Sequence, residues 1–218
     1  AHPTVFADGA FRDQVVVVSG GAGGIGRAIA WLFARLGAHV ALVGRDQGKL
    51  DALVDQLTGR GLKASAHAAD IREPEAVGAL FDAIWEEQGR IDSLVNSAGG
   101  QFPQAAIDFS VKGWNAVIST NLNGTWYMMQ AAAQRWRDHK RPGSIVNIVV
   151  VTTHGLYGIA HSIAARSGVI GLSRADQHRH RRRPRLVPDE GPDRHPQRSD
   201  TEAAGHHQRD GLRLPLHR

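Results

Sequence analysis

Three glycines, Gly20, Gly24 and Gly26, follow Ser19 at the end of a run of four valines, and that order of residue types suits a phosphate. A phosphate cannot approach a backbone screened by Cβ atoms, and a tight strand-to-helix turn needs φ values that glycine adopts at little cost. The helix that opens next, with Ile25 as its first apolar residue, presents unpaired N–H groups and the positive end of its dipole. Arg45 comes about twenty residues later, where a fold of this kind meets the ribose of an adenine dinucleotide. A carboxylate there would bond both ribose hydroxyls and repel a 2′-phosphate, whereas a guanidinium pairs with that phosphate and stacks on adenine. The chemistry favours NADP, and the adjacent Asp46 leaves NAD open.

Holding these groups in place requires alternating strands and helices. Residues 15–18 read as a strand and 25–36 as a helix ending at Gly37, with Ile25, Ile29, Leu32, Phe33 and Leu36 on its apolar face. A strand over 39–43, a helix over 47–57 capped by Asp46, a strand over 62–68, a helix over 73–87 and a strand over 91–95 follow. Residues 100–108 form a loop beside the substrate site. Residues 111–136 read as one long helix interrupted near 121–124, and residues 144–151 as a strand apolar enough to be buried on both faces. The alternation predicts an α/β fold, a Rossmann-like doubly wound parallel sheet.

The Ser19–Gly20–Gly24–Gly26 pattern reads as TGxxxGxG with serine for threonine, and Asn96-Ser97-Ala98-Gly99 reads as NNAG with one substitution. Both stand at the carboxyl end of a strand, and together they resemble the short-chain dehydrogenase/reductase family. The resemblance implies that Asp70 and Ile71 contact the adenine. It also implies that Asn96 steadies the sheet, that Ala98 and Gly99 let the cofactor lie close, and that Asn121 holds a water of the proton relay at a helical kink. Most members carry a serine at the end of the fifth strand and a Tyr-x-x-x-Lys on the next helix. Here Ser162 stands in the tyrosine position, Arg166 in the lysine position and a valine near 149 in place of the serine.

Serine has a high pKa and arginine stays charged, so this pair is poorly suited to protonate an alkoxide. It suits holding and polarising a thioester carbonyl while hydride reaches a conjugated carbon. The segments QFP, KGWNAVISTNLNGTWYM, GSIVNI and HSIAARSGV resemble the trans-2-enoyl-CoA reductase and 2,4-dienoyl-CoA reductase branch, from about residue 11 to residue 174. That implies NADPH-dependent reduction of a carbon–carbon double bond in an acyl-CoA, with Tyr157, Thr152 and Thr153 as open candidates for the proton donor. The alternatives are a 3-oxoacyl or other carbonyl reductase, and an inactive truncated nucleotide-binding fragment. The family commonly forms homotetramers through the long helix and the one after it.

With 218 residues, 42% of them hydrophobic, and no long apolar run, the chain suits one soluble domain without a membrane span. No signal or transit pattern opens it, so a cytoplasmic location is expected. The absence of cysteine excludes disulfides and thiolate chemistry. From residue 175 the composition changes: no lysine, six of the twelve histidines and five of the nine prolines. The expected division is therefore an incomplete reductase domain over 1–174, lacking the last two strands of the family, and a tail over 175–218. The tail reads as disordered, or as a GC-rich reading frame translated out of register. Acids on either side of the arginines of residues 179–185 argue against nucleic-acid binding, and His206-His207 lacks the ligand spacing of a metal site.

Overall fold

A computed structural model describes residues 5–150, 153 and 155–177 of the chain. Among them, five parallel strands form one sheet: β1 (Val15–Ser19), β2 (His39–Gly44), β3 (Lys63–Ala68), β4 (Ser93–Asn96) and β5 (Ser144–Asn147), in the order β3-β2-β1-β4-β5. The helices are α1 (Gly24–Arg35), α2 (Gln47–Thr58), α3 (Pro74–Gln88), α4 (Val111–Ile118), α5 (Thr125–Asp138) and α6 (Ala160–Gln177). The strand order reverses between β1 and β4, which opens a crevice at the carboxyl ends of the strands. This is the Rossmann-like fold that the alternation of elements predicts.

Strand β1 lies at the centre because all four of its valines are buried, with Val15 and Val17 facing one side and Val16 and Val18 the other. The first side packs against α3 and α5 through Phe81, Ile84 and Met128, the second against α1 and α2 through Ala30, Ala34, Leu50 and Leu57. Asp46 caps α2 by accepting from the Lys49 amide at 3.1 Å. The long helix is broken as expected: residues Ser119–Gly124 form a π-helical turn between α4 and α5. Among the described residues, no helix is long and apolar enough to cross a membrane.

Two expectations need correction. The buried face of α1 is Gly26, Ala30 and Ala34, while Ile25 is 62% exposed. The helix lies so close to the sheet that only small side chains fit beneath it, and Ile29 and Phe33 pack along its flank. Strand β5 is shorter than residues 144–151, and its pattern is not that of a strand buried on both faces. Val146 pairs with buried Val95 yet is 49% exposed, because β5 is at the edge and the α1–α2 side of the sheet does not cover it. Helix α6 ends at Gln177. Thr152, the basic run at 179–185 and His206-His207 lie outside the described residues.

An edge strand with an exposed valine invites pairing with other chains. Val146→Lys is expected to raise the soluble fraction on expression, with a melting temperature within about 2 °C of the parent, as for most surface changes. Centrifugation and a thermal melt check it.

The opposite edge holds a polar chain. The Ser65 hydroxyl lies between His39 Nε2, at 3.0 Å, and His67 Nε2, at 2.8 Å, with Glu87 Oε2 3.7 Å from His67 Nε2. Burial pushes both imidazoles below the ordinary histidine value. The neighbouring His67 and Lys63 push His39 down further, and Glu87 opposes the shift at each. The fold therefore favours the uncharged rings, so their contribution to stability is complete above the unfolded value of 6.5 and is lost as pH falls below it. A melt at pH 5.5 is expected below that at pH 7.5, with a smaller difference in His67→Gln.

Candidate functional site

The crevice at the carboxyl ends of β1, β2 and β3 has a volume of about 1030 Å³, and Gly20, Gly23, Arg45, Asp70, Ala98 and Thr120 are among its lining residues. Its floor is the turn from β1 to α1. Gly20 has φ +68°, and a Cβ there would come within 2.8 Å of the Ala98 backbone. A Cβ on Gly26 would lie 2.2 Å from the Gly20 carbonyl oxygen, whereas Gly24 has nothing within 4 Å of that position. Gly20 and Gly26 thus make the turn possible, and Gly24 leaves open space. Ile25 sits on the exposed side of the same turn.

The buried Ser19 hydroxyl donates to Asn96 Oδ1 at 3.4 Å and accepts from the Ala98 amide at 3.3 Å. Asn96 Nδ2 donates to Asn147 Oδ1 at 2.9 Å, and Asn147 Nδ2 donates to Ser173 Oγ at 3.0 Å. A polar line thus crosses β1, β4, β5 and α6. Asn147 and Ser173 carry no motif of their own and escaped sequence reasoning.

At the outer end of the crevice, Asp70 is bound by Arg72, whose Nε donates to Oδ1 at 2.9 Å and to Oδ2 at 3.0 Å and whose Nη2 lies against Oδ2. That guanidinium holds the Asp70 carboxyl down at about 2. Asp46 pairs with Lys49 at 3.0 Å. Arg45 makes no hydrogen bond or ion pair among the described residues, and its charge adds to that of Arg72 in holding the Asp70 carboxyl down. Ile71 is buried, and its side chain meets the glycine at 124 that allows the turn before α5 to approach. Arg72 was missed in the sequence; its position two residues after Asp70 is the only signal it offers.

At the inner end, Asn121 is buried on the π turn. Its Oδ1 accepts from the Gly100 amide at 2.9 Å, and its Nδ2 donates to the Gly100 carbonyl at 2.9 Å and to Ser162 Oγ at 3.3 Å. Both amide hydrogens are therefore used. Arg166, four residues on from Ser162 along α6, is only 7% exposed and donates from Nη2 to the Ala98 carbonyl at 3.2 Å. Its Nη1 is buried without a partner among the described residues, and burial pushes the guanidinium below its ordinary value. A Cβ on Gly99 would sit 2.1 Å from Arg166 Nη2, so this glycine makes room for the arginine. Tyr157 is 92% exposed on the turn before α6, apart from the cluster of Asn121, Ser162 and Arg166.

The family model for short chain dehydrogenases matches residues 14–184. This chain belongs to the short-chain dehydrogenase family. Among curated relatives of this short-chain dehydrogenase, the probable 2,4-dienoyl-CoA reductase of Bacillus subtilis (strain 168) is 35% identical over 162 residues, which are 74% of this chain and 64% of the relative. The chain thus spans under two thirds of that relative's length. The citronellol catabolism dehydrogenase AtuB of Pseudomonas aeruginosa PAO1 shares the fold with a TM-score of 0.78 at 39% identity, covering 82% of this chain and 73% of that one. A metagenomic short-chain oxidoreductase solved in complex with NADP has a TM-score of 0.72 at 33% identity, covering 78% of each chain.

Proposed function

We propose that this short-chain dehydrogenase is an oxidoreductase that reduces a carbon–carbon double bond in an enoyl-CoA, with NADPH as its cofactor. The observation that carries the reading is the pair of unused donors buried behind Ala98 and Gly99 of the crevice wall. Asn121 donates to Ser162 Oγ, so the serine's own hydrogen is left without an acceptor among the described residues, and Arg166 Nη1 has no partner. Buried donors without acceptors are costly in a folded protein unless a ligand completes them.

The crevice fits a dinucleotide. Gly20, Gly24 and Gly26, with Ser19 and Ile25 around the same turn, would hold the diphosphate, and Arg45 would hold a 2′-phosphate. Asp70 and Ile71 would flank the adenine, while Asn96, Ala98 and Gly99 would border the nicotinamide end. Bound NADPH supplies the hydride. Ser162 Oγ–H would donate to the thioester oxygen as negative charge gathers on it, and the Arg166 guanidinium would stabilise that charge from the same side. Asn121 would fix the serine's orientation. The name of the Bacillus subtilis relative supports acyl-CoA chemistry.

A second reading, a nucleotide-binding fragment without turnover, is favoured by the exposed edge of β5. It goes with the division at residue 174 and the out-of-register tail; one uninterrupted frame at the locus, with no family-like sequence in either alternative frame, would rule out the out-of-register reading. A cytoplasmic location belongs to the same proposal. The exposed Trp114 on α4 and Trp126 on α5 fit a homo-oligomer through these helices. NADPH oxidation with crotonyl-CoA and longer enoyl-CoAs, run beside ketone substrates and NADH, tests the function. Turnover of enoyl-CoA is expected; turnover of ketones alone would move the assignment to a carbonyl reductase. Cofactor binding with no turnover would favour the fragment.

A further inference from the structure

His161 is fully buried at the start of α6, next to Ser162, and the proposed reaction gives it no task. Its ring stacks on Phe109, with centroids 4.4 Å apart and planes at 17°, and meets Phe102 edge-on at 4.7 Å. Nδ1 accepts from the Ser162 amide at 2.8 Å. The Ser162 N–H is shared with the Ile159 carbonyl at 2.9 Å, and a ring nitrogen facing an N–H offers its lone pair, which favours the tautomer with the ring proton on Nε2. Nε2 is buried and has no partner among the described residues. Packing alone would be served as well by a phenylalanine or a leucine, with no donor left unused.

The chemistry around the ring narrows what could complete it. The walls are Phe102 and Phe109, with Trp114 beyond Phe109, and an apolar enclosure of this kind does not repay the desolvation of a carboxylate or phosphate. An uncharged acceptor oxygen attached to an apolar group fits it. Phe102 belongs to the stretch between β4 and α4, which is fastened to the turn before α6 by the Gln104 amide donating to the Gly158 carbonyl at 2.8 Å. This covering belongs to the segment between β4 and α4 and not to the sheet.

We propose that His161 is a second hydrogen-bond donor to the carbonyl oxygen of the acyl substrate, sharing it with Ser162. A carbonyl oxygen has two lone pairs, so it can accept from both donors. No proton leaves the ring. The N–H strengthens its bond as charge builds on the oxygen, so its effect is largest in the transition state. The proposal rests on the enoyl-CoA reading of the site and adds the residue that grips the substrate beside Phe102.

The test compares His161→Leu, which fills space without donating, with His161→Gln, whose amide keeps a donor near Nε2. Loss of one such donor is expected to lower kcat about 10²-fold in His161→Leu, with little change in NADPH affinity and a melting temperature no lower than the parent's. His161→Gln is expected to recover most of the loss. An unchanged kcat in His161→Leu, or equal losses in both variants, would overturn the proposal. Butyryl-CoA binding to the NADP-loaded protein, followed by the imidazole nitrogen resonances, keeps the two readings apart. If the parent turns over no enoyl-CoA but Nε2 shifts on binding, the reductase reading fails and the His161 contact stands. If Nε2 does not shift, the contact is refuted whatever the turnover.

Discussion

Arg166→Met is expected to make the protein more stable and nearly inactive. The guanidinium is buried, and among the described residues one of its nitrogens has no partner and no acidic side chain pairs with it. Removing an uncompensated buried cation and its orphaned donor relieves a cost of about 1–3 kcal/mol, offset in part by the lost bond to the Ala98 carbonyl. The net gain corresponds to a rise of roughly 2–8 °C in melting temperature for a chain of this size. Turnover with an enoyl-CoA is expected to fall about 10²–10³-fold, the scale for losing one donor to a developing oxyanion. A variant that is both less stable and fully active would show that Arg166 is structural. Stability gained where activity is lost is the usual sign of a group held in place for a ligand.

Gly26→Ala and Gly24→Ala are expected to part company. At position 26 the new methyl would come within 2.2 Å of the Gly20 carbonyl oxygen, so the turn from β1 to α1 has to open. Forced overpacking of this kind costs about 1–3 kcal/mol. Because the turn is the proposed cradle, NADPH affinity is expected to fall at least about 100-fold, as small misplacements of positioning groups do. At position 24 nothing lies within 4 Å, so the melt is expected to match the parent's. Its cofactor affinity should still weaken, because the methyl occupies the open space offered to the diphosphate. Calorimetry and thermal melts on both variants distinguish a glycine needed by the chain from one needed by the ligand. Full affinity in Gly24→Ala would move the diphosphate elsewhere.

Much of the architecture is legible in the sequence because it rests on local signals. The valine run, the glycine turn, the cap at Asp46 and the break near Asn121 each encode their own structure. Where the reading fails, the missing information is a neighbour. The apolar spacing of α1 gives a large-residue face, but distance to the sheet decides which face is buried, and the sheet is remote in sequence. The valines of β5 look like core, yet what covers an edge is not written in the edge. Gly99 was read as space for a cofactor, and the group nearest to it is Arg166, sixty-seven positions on. Asn147 and His161 look ordinary in the sequence, and their significance comes from partners, or a missing partner, supplied by the fold.

The polar line from Ser19 through Asn96 and Asn147 to Ser173 bears on how the molecule comes apart. It stitches β5 and α6 to the centre of the sheet through side chains, while among the described residues no strand pairs the outer edge of β5. Strand and helix therefore form one cooperative unit that detaches together, with the first three strands and their helices still folded. Amide exchange should record two steps, with the half bearing Ser162 and Arg166 opening first. The chemistry would then be lost at a milder temperature than the nucleotide's resting place.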